Sequence, residues 1–63
     1  MTFEEAVALV GRWPMDKTVP MQLALAIKTA EGREQQEIAL LVEALVVAAE
    51  SPEDFALIQE HFE

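Results

Sequence analysis

The sequence predicts an all-α fold, a compact bundle of three to four short helices, and three observations predict it. Ala, Leu, Glu, Val and Gln dominate the 63 residues and only two Gly interrupt them, a composition that favours helix. Apolar residues recur at helical rather than strand spacing, apart from a weak alternation over residues 21–27. Start and stop signals then divide the chain into four segments, with no internal repeat and no long linker.

The first helix is expected over residues 2–12. Thr2 is a good N-cap, and Glu5 three positions on completes a capping box. Phe3, Ala6, Val7, Leu9, Val10 and Trp13 share one face, and Gly11 with Pro14 ends the helix. Residues 13–19 read as a loop, because Pro14 and Asp16 support a turn.

The second helix is expected from about residue 19 to 31, with Thr18 as its cap and Pro20 in its first turn. Met21, Ala24 and Leu25 lie on one side, while Leu23, Ile27 and Ala30 lie on the other. A helix apolar on two sides is expected between two others.

Gly32 marks the next turn. The third and central helix is expected over about residues 33–50, with Glu34 and Glu37 near its positive N-terminal end. Ile38, Leu41, Val42, Leu45 and Ala49 form the core stripe. This helix is expected to be the one buried along the greatest length, with the other three around it. Ser51 and Pro52 then open a fourth helix, followed by Glu53 and Asp54. Phe55, Ile58 and Phe62 are placed inward, and Glu53, Glu60 and Glu63 outward.

A chain this short builds one domain, residues 1–63, with a small core. Surface scaling leaves about 4,000 Å² exposed from about 10,000 Å² in the unfolded chain. There is no Cys, so neither a disulfide nor a cysteine-based zinc site contributes. Stability must come from tight helix packing or from association, and a homodimer or a stable hetero-complex is expected.

Charge is distributed unevenly. Residues 34–63 carry eight acids and no Lys or Arg, while residues 1–33 carry four acids and all four bases. The whole net charge of −8 therefore sits in the second half. Such a chain repels phosphate backbones, so direct nucleic-acid binding is disfavoured and a basic protein partner is favoured. A solubilising role for the acids is the alternative. An apolar content of 52% argues against disorder. The longest apolar stretch, residues 38–49, holds Glu43 and is too short to span a membrane. Glu4 and Glu5 stand where a signal peptide carries basic residues, and a cytoplasmic location is expected.

Catalytic chemistry finds little support. The one His, His61, lies near the end of the chain, and Ser51 is already used as a cap. The Glu-x-x-His pattern of bundle metal sites fails, because Ile58 stands three before His61. Gly11 and Gly32 are isolated, so no phosphate loop forms. A helix-turn-helix reader would need basic contacts where residues 33–37 offer only Arg33. No enzyme activity, cofactor or metal is expected.

Two features remain as partner-binding candidates. The first is Leu40, Ala44 and Val47, bordered by Glu37, Glu43 and Glu50, with Glu53 beyond. It reads either as an interface with an acidic rim or as the wrapped side of a central helix. The second is the loop holding Trp13, Met15 and Lys17. Trp13 continues the stripe of the first helix and is expected as a lid over the core, leaving Met15 as the apolar anchor.

These residues predict a small acidic interaction protein, a regulator or inhibitor. Phage-type inhibitors, antitoxins and nucleic-acid mimics share this physical profile, as do unrelated proteins. A structural subunit that homo-oligomerises through its apolar face is the alternative. A small-ligand binder with a pocket between protomers is a third class.

Overall fold

The computed structural model describes residues 1–62, so the outward placement of Glu63 lies outside the described residues. Four helices form in order: α1 (Phe3–Val10), α2 (Val19–Thr29), α3 (Gly32–Ala48) and α4 (Pro52–Phe62). The all-α bundle is as expected, and the 21–27 alternation is helical.

Local chemistry sets the helix starts. The Thr2 hydroxyl accepts from the Glu5 amide at 3.2 Å, and the Glu5 carboxylate accepts from the Thr2 amide at 2.9 Å, closing the capping box. Thr18 occupies the N-cap of α2 without a side-chain cap bond. The expected cap is replaced by Asp16, whose Oδ1 accepts from the Thr18 amide at 2.9 Å and its hydroxyl at 2.6 Å. A short carboxylate two residues upstream competes well for these donors. Ser51 receives the Asp54 amide at 3.3 Å, with Pro52 at the first position of α4.

The helix ends are less conventional. Gly32 has φ +59°, the left-handed region that glycine enters at no Cβ cost, and it begins α3 directly. The end of α2 leaves carbonyls without helical donors. Gln35 of α3 supplies one, its amide donating to Ile27 O at 2.8 Å. α3 ends two residues before the expected boundary, because Ala49 is extended ahead of Ser51 and Pro52. The Ala49 amide bonds Val46 O, and Leu45 O is met instead by the Trp13 indole N–H at 2.9 Å.

The core comprises Ala6, Leu9, Trp13, Val19, Leu23, Ala26, Ile38, Leu45 and Ile58. Trp13 is buried, as the lid reading expects. Both α2 and α3 pack against all three other helices, while α1 and α4 make no approach to each other among the described residues. The expectation that α3 would be the most buried helix is corrected. α2 buries Val19, Pro20, Leu23 and Ala26, whereas α3 buries only Ile38 and Leu45. The longer helix overhangs its neighbours and keeps a whole side outward.

Three further placements change. Phe3 and Val7 of α1 are exposed. They lie roughly 90° and 130° round the helix from the buried Ala6–Leu9 line at 100° per residue. Met21 and Leu25 of α2 are exposed, so its second apolar side is only partly covered, with Ala24 half-buried between them. Phe55 is exposed as well, because α4 turns Asp54 inward with Ile58. The accessible surface of 4278 Å² and radius of gyration of 10.7 Å match a well-closed monomer of this size.

Replacing Leu23 by Ala should cost about 2–5 kcal/mol, enough to unfold much of so small a domain. Leu25→Ala should stay within about 0.5 kcal/mol. Urea midpoints distinguish them, and equal losses would mean that α2 buries its other side. Gly32→Ala meets no neighbouring atom within 4 Å, so its expected loss of about 1 kcal/mol measures backbone strain alone.

Candidate functional site

A seventeen-residue helix with its core stripe on one side presents the opposite side to solvent. On α3 that side carries Leu40, 68% exposed, and Val47, 86% exposed. Glu43 lies beside them, exposed, while Glu37 and Ala44 are half-buried at the edge facing the bundle. Val46, also exposed, widens the apolar area beyond the residues that the sequence singled out. The wrapped-helix reading of Leu40 and Val47 is therefore corrected: nothing among the described residues covers them.

Met15 and Glu50 meet at a second place. Residues 11–16 and Glu50 enclose an open cleft of about 680 Å³ at one end of the bundle. Met15 is 93% exposed, Pro14 half-buried, and Trp13 buried. Glu53 is exposed on the first turn of α4 and takes no part in the cleft.

Sequence reasoning missed the residue that organises this end. Asp54 has no solvent exposure. Its Oδ1 accepts from Lys17 Nζ at 2.6 Å, and its Oδ2 accepts from the Glu50 amide at 2.9 Å. The Lys17 ammonium also stands 5.5 Å from the centre of the Trp13 ring, within cation–π range. The available signal was Ser51-x-x-Asp54, a capping-box spacing that puts a carboxylate where it can turn back to upstream amides. Here it reaches the amide of Glu50 rather than that of Ser51.

Lys17 holds the Asp54 carboxyl below the ordinary carboxylate range, and the Glu50 amide adds to the effect while burial opposes it. The Thr18 hydroxyl and amide lower Asp16, and the Thr2 amide lowers Glu5. Arg12 lies 3.8 Å from Asp16. No buried side-chain polar atom lacks a partner among the described residues.

Among the described residues, no group of three or more His, Asp or Glu side chains could hold a metal ion. No described helix is long and apolar enough to cross a membrane. No family model, curated protein or solved structure matches the chain. The class defined by fold and surface is thus a small four-helix protein with an acidic, partly apolar exterior.

A carboxyl depressed in the fold stabilises it fully above its unfolded pKa and loses that contribution as pH falls through the folded value. Asp54, with an ordinary value of 3.8, should therefore drive acid unfolding below about pH 4. Asp16 and Glu5 act in the same direction. Thermal melts from neutral pH downward should show Asp54→Asn with the flattest acid limb. An acid limb as steep as that of the unaltered protein would remove the Lys17 ion pair from this account.

Proposed function

We propose that this chain is a non-enzymatic protein–protein interaction module, a small acidic regulator or inhibitor that docks the outward side of α3 on a basic partner protein. One observation carries the reading: Leu40 and Val47 stand exposed on the longest helix with Glu43 beside them. An apolar centre supplies affinity, while the surrounding carboxylates steer encounter with a cationic surface.

The charge balance supports a basic partner over a second copy. Only two ion pairs form among the described residues, Arg12–Asp16 and Lys17–Asp54. The remaining acids of residues 34–62 face solvent or the rim without a cation. Two copies joined by the same side of α3 would bring like charges together, which opposes association. A basic surface relieves the same repulsion. The shape of an anionic helical surface also suits a protein that occupies a nucleic-acid site on its partner.

The partner is captured at low salt from the native host and released as salt rises. With the purified pair, the triple charge reversal Glu43→Lys, Glu50→Lys and Glu53→Lys should slow association at least about tenfold and flatten its salt dependence. Leu40→Ser with Val47→Ser should instead shorten the complex lifetime at a nearly unchanged on-rate. An on-rate indifferent to the triple reversal would refute the docking. A doubled mass for the free chain in light scattering, lost in Leu40→Ser with Val47→Ser, would assign the same surface to self-association.

A further inference from the structure

We infer that the cleft between residues 11–16 and Glu50 receives a cationic side chain, arginine or lysine, from a basic peptide segment of the partner. This rests on the proposed basic partner and adds a site, away from Leu40 and Val47, for one of its cations.

The cleft's volume, about 680 Å³, is in the range of ligand sites and accommodates a short peptide stretch. Its walls are amphipathic in the sense that such a side chain requires. Pro14 and the fully solvated Met15 offer apolar surface to an aliphatic stem, and Glu50 offers a carboxylate to the head. Arg12 would repel a cation, but Asp16 stands 3.8 Å from it and offsets its charge. Glu50 makes no ion pair among the described residues. The local balance is therefore one unmatched negative charge.

Glu50 is also positioned rather than loosely attached. Its backbone amide is held by buried Asp54 at 2.9 Å, and Glu50 itself is exposed. The molecule already contains an internal example of this recognition. Lys17 lies over Trp13 and places its ammonium on the carboxylate of Asp54. The cleft offers a comparable combination on its open side, with Met15 and Pro14 for the stem and Glu50 for the charge.

The test uses the full chain, uniformly ¹⁵N-labelled, titrated with the capped tripeptide acetyl-Ala-Arg-Ala-amide. The control replaces arginine by citrulline, which keeps the shape and removes the charge. Saturable shifts at the Trp13 indole and the Met15 and Glu50 amides are expected with arginine and not with citrulline. Glu50→Gln should raise the dissociation constant about tenfold, and Glu43→Gln by less than about twofold. Matching responses to both peptides, shifts that never saturate, or wild-type affinity in Glu50→Gln would overturn the inference. The citrulline control needs no variant, so a folding defect cannot conceal the answer. Leu40→Ser with Val47→Ser should leave the peptide affinity within about twofold, because those residues lie outside the cleft. Leu40→Ser with Val47→Ser reads the α3 surface alone and Glu50→Gln reads the cleft alone, so the two can fail separately, whereas the triple reversal, which includes Glu50, touches both.

Discussion

Asp54 is a carboxylate with no access to water, and the bundle's arrangement at this end follows from satisfying it. A buried charge needs both a counter-charge and hydrogen-bond donors, or it neutralises instead. Lys17 provides the first, and the Glu50 amide completes the second. Lys17 belongs to the connection between α1 and α2, so that connection must pass beside the start of α4. Trp13, four residues earlier, is then brought over the end of α3, where its indole satisfies Leu45 O. Among the described residues α1 and α4 make no contact, and Lys17, in the segment after α1, ties that segment to α4 through Asp54.

This explains which features were legible in the sequence. The caps at Thr2 and Ser51 are local, and both form as their spacing implies. The core stripe of α3 is also local, because 3.6-residue periodicity fixes which residues share a side. What periodicity leaves open is which of two apolar sides is covered. On α2 the choice falls to Leu23 over Leu25, settled by three neighbouring helices. On α4 the inward direction is drawn toward Asp54 by a lysine thirty-seven residues away, leaving Phe55 outside. No pattern within α4 records that lysine. The candidate site divides likewise: Leu40 and Val47 follow from helical phase, whereas the meeting of Met15 with Glu50 is a tertiary event.

The ion pairs also show what folding does to the charge asymmetry. Arg12 meets Asp16 within the neutral half, and Lys17 alone crosses to the acidic half. That single crossing neutralises the one acid of the second half that is buried. The solvent-facing acids of α3 and α4 gain no cation among the described residues, so the surplus persists on the surface of the folded chain. An excess that folding does not absorb remains available to a partner of opposite sign.

The outward side of α3 is independent of the devices that hold the bundle together. The helix is anchored by Ile38 and Leu45 in the core, by Gln35 at one end and by the Trp13 indole at the other. None of these bonds uses Leu40 or Val47, whose side chains are turned to water. A protein that needed these residues only for solubility would be served better by polar ones, since exposed branched apolar surface costs solubility without adding to the core. Their exposure on a surface otherwise rich in carboxylates fits the proposed docking, in which a partner covers them. In the proposed docking, the acidic surround disfavours a second copy and favours a cationic surface, so the same residues would supply both the attraction and its specificity.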